Sequence, residues 1–126
     1  MEILIKRRAL LSALAGAKAA RPNEFICLLT GRQENGNVVI EDTLIPPGIQ
    51  VYRSMSSFSE WMMPYITDQI GTFHSHPSGS PSPSRADARL FSRKGGVNFI
   101  AAAPYSVRNV SAFLGTGQKI PFKVIK

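Results

Sequence analysis

The stretch that most constrains this chain runs from Gly71 to Asp87, GTFHSHPSGSPSPSRAD. It holds both histidines of the protein, His74 and His76, with one residue between them. In an extended strand, residues i and i+2 project from the same face about 6.6 Å apart. Two imidazoles placed that way can converge on one ion, because Zn–N bonds are about 2.0–2.1 Å long. Asp87, eleven residues beyond His76, can add an oxygen ligand. Two imidazoles, one carboxylate and an open fourth position make a catalytic rather than a structural zinc set.

Each half of the stretch also has an ordinary reading. A His-x-His pair alone is weak evidence for a metal. Ser84-x-x-Asp87 reads equally as a helix start, with Ser84 as N-cap and an acid three residues on, a capping-box pattern. Pro81 and Pro83 suit a loop leading into that helix, and the helix dipole favours an acid in the first turn. It is the conjunction of the two halves that points to a site.

That conjunction resembles a known family. H-S-H-P, six further residues and then S-x-x-D is similar to the signature of the JAMM (MPN+) zinc metalloproteases. The family adds an upstream glutamate after the first helix, on a short apolar strand, and Glu24 in NEFICLLTG (Asn23 to Gly31) stands there. Glu24, His74, Ser75, His76, Pro77, Ser84 and Asp87 all match, and the resemblance spans essentially the whole chain. Inactive relatives commonly lack one of these residues; none is missing here.

The resemblance implies one Zn²⁺ per chain held by His74, His76 and Asp87, with Glu24 as general acid/base and Ser84 as hydrogen-bond donor to the developing oxyanion. It implies hydrolysis of isopeptide or peptide bonds at the C-terminal tail of a ubiquitin-like modifier. Some small prokaryotic relatives instead trim sulfur-carrier proteins, so both substrate classes are carried forward. Without the resemblance, a salt bridge from Glu24 to Arg21 or another base is the simpler account of that acid.

At 126 residues the chain reads as a single domain, 1–126, large enough to bury a core. No run of eighteen or more apolar residues exists, so no membrane-spanning segment is expected. One cysteine, Cys27, excludes an intramolecular disulfide, and its apolar neighbours predict a buried, inert thiol. Lys6-Arg7-Arg8 followed by an alanine-rich stretch mimics a secretory signal. The strand-like Glu2 to Ile5 ahead of it argues against that reading, so a cytoplasmic protein is expected.

The net charge is +7, which raises a nucleic-acid function. The basic residues are scattered, however, and few aromatics interleave with them. Arg85, Arg89 and Arg93 recur at helical spacing and make one basic face, read as solvated or as a contact for an acidic partner. No specific nucleic-acid binding is expected. A catalytically silent MPN scaffold and a nucleic-acid module are the alternatives from other functional classes.

Periodicity predicts a strand at 2–5, a helix at 7–20 ended by Pro22, and a buried strand at 24–30. Residues 31–37 read as a hairpin turn around Asn35-Gly36, returning through a strand at 38–45. A further strand is expected at 49–58, followed by an ambiguous turn around Trp61, Met62 and Met63. Residues 66–74 lead into the histidine strand, and 85–94 form a helix ended by Gly95-Gly96. A central strand at 97–103 and a closing hairpin of 107–114 with 119–125 complete the chain. The fold class is α/β, a mixed, mostly antiparallel sheet flanked by helices. The resemblance implies the JAMM/MPN version, related in shape to cytidine deaminases.

Overall fold

The computed structural model describes residues 1–45, 69–78 and 83–126. Strand β1 (Ile3–Lys6) runs without a loop into helix α1 (Arg7–Ala20). The helix buries Ala9, Leu10, Ala13, Leu14 and Ala17, the three-and-four spacing of one apolar face. Its small residues let it approach the sheet closely. Gly16 is where the Phe25 ring packs, and an added Cβ there would collide with that ring.

Strands β2 (Ile26–Glu34) and β3 (Asn37–Leu44) form an antiparallel hairpin. Asn35 and Gly36 adopt φ of 53° and 80°, the paired positive values of a tight two-residue turn. The expected turn at 31–37 is therefore too wide, because Gly31 to Glu34 stay in the ladder. Arg32, Gln33 and Glu34 are exposed on this arm, so their polarity marks a solvated strand. Conversely, Glu24 and Phe25 lie just ahead of β2, one strand end later than expected.

Strand β4 (Gln69–His76) pairs antiparallel with β2 on one side and parallel with β5 (Val97–Ala102) on the other. The crossover between them is helix α2 (Arg85–Lys94), at the bounds the sequence predicts. Gly95 and Gly96 follow it with φ of 66° and 67°, the left-handed conformation that ends a helix. All six residues of β5 are buried, as a central strand requires. At Gly71 the Val97 carbonyl comes so close that a Cβ would overlap it.

A short 3-10 turn (Val107–Asn109) leads into β6 (Val110–Leu114), antiparallel to β5. The expected closing hairpin is only partly realised. Strand β7 (Lys119–Ile120) pairs with β6, but β8 (Lys123–Ile125) pairs in parallel with β1 at the opposite edge. Pro121 lies between them and has no N–H to offer a ladder, so the single predicted strand divides there.

Among the described residues the sheet order is β7-β6-β5-β4-β2-β3-β1-β8. Its two ends are joined by Pro121 and Phe122 alone, a bridge of at most about 11 Å. The sheet must therefore curl until its edges approach. Phe122 packs edge-to-face on Phe99 with ring centroids 5.1 Å apart, closing the gap. The main core joins α1 to residues of both sheet halves, including Ile3, Ile40, Phe73, Phe99 and Ala112.

Four strand pairings are antiparallel (β2–β3, β2–β4, β5–β6, β6–β7) and three are parallel (β1–β3, β1–β8, β4–β5). The mixed α/β sheet expected from the sequence is what forms. No helix of the described residues is long and apolar enough to cross a membrane. The expectations for 49–58 and for Trp61 to Met63 lie outside the described residues.

Candidate metal centre

Alternation along β4 divides its side chains between two environments. Gly71, Phe73 and Ser75 face the main core side, while Thr72, His74 and His76 face the side of α2; all six are buried. The two histidines thus share a face, as their spacing predicts. Their ring centroids are 5.4 Å apart.

The third member arrives by local helix chemistry. The Ser84 carbonyl accepts the first helical hydrogen bond, from the Ala88 N–H at 3.0 Å, which makes Ser84 the N-cap of α2. The Asp87 N–H donates to Ser84 Oγ at 3.1 Å, and the Ser84 N–H donates to Asp87 Oδ2 at 2.8 Å. This reciprocal pair is a capping box. It turns the Asp87 carboxylate back over the helix start and toward β4. Oδ1 then lies 3.0 Å from His74 Nε2, and Oδ2 lies 2.8 Å from His76 Nε2. The capping and metal readings of S-x-x-D are therefore one arrangement.

The donor set fits a single Zn²⁺. One candidate ligand atom from each of His74, His76 and Asp87 lies within 4.8 Å of the others. Two ligand atoms on one tetrahedral zinc sit about 3.3 Å apart, against 3.0 Å and 2.8 Å for the two histidine–aspartate pairs here. Asp87 is fully buried, yet its Oδ1 makes no hydrogen bond among the described residues. A buried carboxylate oxygen that meets a ring nitrogen without forming a hydrogen bond is under-satisfied, and a cation between the two would satisfy both. Burial pushes the Asp87 carboxyl up, but the imidazoles of His74 and His76 and the Ser84 N–H outweigh it. They hold the group well below the usual carboxylate range, ionised and ready to ligate. Among the described residues no fourth protein ligand joins the three.

Glu24 reaches the same face through strand register. Ile26 stands opposite His74 in the β2–β4 ladder. The next pair is Phe25 with Ser75: the Ser75 N–H donates to the Phe25 carbonyl at 2.9 Å. The Phe25 N–H donates to Ser75 Oγ at 2.8 Å. One step further, Glu24 occupies the register position facing His76, half-buried at the end of the strand. No ion pair joins Glu24 to Arg21 among the described residues; the Arg21 guanidinium instead sits over the Tyr105 ring, 5.6 Å from its centroid.

Two contributions were not read from the sequence. The Ser75 hydroxyl takes the place of a backbone acceptor and ties the histidine strand to the segment carrying Glu24. The Thr72 hydroxyl donates to Asn98 Oδ1 at 2.6 Å, and Asn98 Nδ2 donates to the Gly95 carbonyl at 3.2 Å. This buried chain pins the end of α2 opposite Asp87, so the helix is tied to the sheet at both ends. An asparagine inside the otherwise apolar run VNFIAA was the available signal. Cys27 is buried on the core side and desolvation pushes its thiol up, so it takes no part in nucleophilic chemistry.

His74→Ala is expected to remove most bound zinc while the protein remains folded, read by metal analysis and circular dichroism. Zinc content equal to that of the unsubstituted protein would contradict the ligand assignment. Occupancy should also fall with falling pH, because protons and metal compete for the same imidazole lone pairs. Ser75→Ala strands the Phe25 N–H and should lower unfolding free energy by about 1–2 kcal/mol, measured by denaturant titration. A change below about 0.3 kcal/mol would show that the bond contributes little.

Comparisons with known proteins agree with this geometry. The family model for prokaryotic homologs of the JAB domain matches residues 6–114. A protein of Haloferax volcanii described as a probable metalloprotease is 31% identical over 112 residues, covering 84% of this chain and 69% of that relative. One solved structure, reported as JAMM, a metalloprotease-like zinc site in the proteasome and signalosome, is 28% identical with a TM-score of 0.77 and full coverage of both chains, 100% each. A JAB1/MPN domain protein from Archaeoglobus fulgidus is 30% identical with a TM-score of 0.75, again covering 100% of each chain. The His74–His76–Asp87 centre thus lies on a fold shared along the whole chain, and this protein belongs to the prokaryotic JAB-domain (JAMM) family.

Proposed function

We propose that this protein is a zinc-dependent amide hydrolase with Glu24 as general acid/base and Ser84 as oxyanion donor. The observation that carries the reading is the convergence of His74, His76 and Asp87 beside the register position of Glu24. When bound, zinc supplies an activated water and a Lewis acid for the substrate carbonyl. The Glu24 carboxylate accepts a proton from the attacking water as the C–O bond forms. It then delivers that proton to the leaving nitrogen as the C–N bond breaks. No covalent enzyme intermediate is needed.

Ser84 is suited to both of its tasks. As N-cap its Oγ acts as an acceptor, through a lone pair, for the Asp87 N–H. The hydroxyl hydrogen is not consumed by that bond and can point to the oxyanion. Ser84 is exposed, as a group that meets substrate must be.

The proposed substrate is the extended C-terminal tail of a ubiquitin-like modifier, joined to its partner by an isopeptide or peptide bond, with sulfur-carrier tails as the second class. The name of the Haloferax volcanii relative supports protease chemistry, and the family resemblance supplies the choice of tail. The segment 46–59 lies outside the described residues. A cytoplasmic setting is proposed with it. Exposed Arg85 and Arg89 beside the Asp87 end of α2 offer contacts for an acidic partner rather than a sequence-reading nucleic-acid surface.

Glu24→Gln is expected to keep zinc and lose about 10²–10⁴-fold in turnover. Full activity would remove Glu24 from the mechanism, and lost zinc would make it a ligand. Ser84→Gly keeps an acceptable N-cap and the backbone N–H that holds Asp87 Oδ2 but lacks the hydroxyl, so turnover should drop about 10²–10³-fold with zinc content retained and only a few tenths of a kcal/mol lost in stability, while lost zinc would assign the effect to Asp87 positioning. Undiminished turnover would leave Ser84 a cap alone.

A substrate panel tests the choice of tail. Three substrates are offered: an isopeptide-linked ubiquitin-like conjugate, a sulfur-carrier protein with a C-terminal cysteine adduct, and unfolded casein. Chelator-sensitive cleavage of either of the first two supports the proposal. Digestion of casein alone would overturn the tail assignment.

A further inference from the structure

We infer that the surface around the start of α1 docks an acidic protein segment, through four cations gathered about one exposed leucine. A cavity of about 450 Å³ is lined by Lys6, Arg7, Arg8, Leu11 and Lys126. Strand register assembles it. Ile125 of β8 stands beside Lys6 of β1, so Lys126 comes level with the first turn of α1. The fourteen residues of α1 span about 20 Å, and Glu24 lies beyond the other end of the helix. The cavity is therefore separate from the metal centre. It is separate too from Arg85 and Arg89, which belong to α2 on the opposite face of the sheet.

These cations work against the helix that carries them. A helix start favours acids, because its free N–H groups carry partial positive charge. Helix α2 follows that rule with Ser84 and Asp87. Helix α1 reverses it: Lys6 at the N-cap makes no side-chain capping bond, the first turn holds no acid, and Arg7 and Arg8 open it. Cations of nearby strands are neutralised. Arg32 lies 2.6 Å from both Glu34 and Glu41, and Lys123 lies 2.8 Å from Glu2. In the cavity only Lys6 approaches an acid, Glu41 at 3.9 Å. Arg7, Arg8 and Lys126 are ion-paired with no acid among the described residues. A local rule broken with no gain inside the fold points to a partner outside it.

The lining specifies that partner. Clustered cations call for several carboxylates. Leu11 stands one helical turn from Arg7 and is 51% exposed, so an aliphatic side chain among those carboxylates has apolar surface to cover. No aromatic side chain lines the cavity, so nucleic-acid bases have nothing to stack on. A bilayer needs a broad apolar helix face, and Leu11 is the one large apolar group here. An acidic segment bearing a leucine meets each of these features.

The test titrates the protein with a synthetic peptide of glutamates flanking one leucine, followed by calorimetry and amide NMR. Binding should saturate and shift the signals of Arg7, Arg8, Leu11 and Lys126. Arg7→Glu should weaken it about 10-fold, and Arg7→Lys should keep most of the affinity. Replacing the peptide leucine by serine should weaken it as well. Because an acid suits a helix start, Arg7→Glu should melt at or above the temperature of the unsubstituted protein. A lower melting temperature would show that Arg7 serves the fold and would overturn the inference. So would affinity unchanged by Arg7→Glu, or peptide shifts confined to Arg85 and Arg89. Tighter binding of phosphatidylserine vesicles or of a single-stranded oligonucleotide than of the peptide would assign the surface to a membrane or to nucleic acid, and would overturn it equally.

Discussion

The reciprocal hydrogen bonds between Ser84 and Asp87 are the interaction on which the rest of the site depends. They do three things with the same atoms. They satisfy two orphan N–H groups at the start of α2, they orient the Asp87 carboxylate, and they hold it against two imidazoles. A carboxylate buried this deeply is stable only with partners. The backbone donor from Ser84 and the His74–His76 pair supply them, and a bound cation completes the set. Helix start and metal centre are thus one device.

Strand β4 is the second half of that device. Its alternation gives His74 and His76 to the site, and gives Phe73 and Ser75 to the side that meets the core and the Glu24 segment. Because Ser75 is bonded to Phe25 through both its backbone and its hydroxyl, the acid and the ligands cannot drift independently. The Phe25 ring fits against Gly16 of α1 and edge-on to Phe73, with centroids 6.3 Å apart. The catalytic geometry proposed for Glu24 is accordingly set by packing from the first helix as well as by the sheet.

The curl of the sheet explains how so small a chain shelters such a centre. With its edges linked only by Pro121 and Phe122, the sheet wraps a core that includes α1 and leaves α2 on the other face. Buried polar groups on that second face, Thr72 and Asn98, are hydrogen-bonded to each other and to the end of α2. The helix bearing Asp87 is therefore anchored at both ends by side-chain bonds.

Local chemistry was legible in the sequence. The bounds of α1 and α2, the Asn35-Gly36 turn, the burial of β5 and the shared face of His74 and His76 all follow from short-range rules, because periodicity, caps and positive-φ residues act within a few positions. The sequence alone also determined which residue types meet at the metal. Tertiary structure decided what depends on distant partners. Polar Arg32 to Glu34 became strand because β3 offered a ladder, and the final segment split because β1, more than a hundred residues earlier, offered a better edge for Lys123 to Ile125. The bond from Ser75 to Phe25 spans 50 positions, and Arg21 left the neighbouring Glu24 for the ring of Tyr105. Such pairings are chosen by which surfaces the whole fold brings together, and no local pattern encodes them.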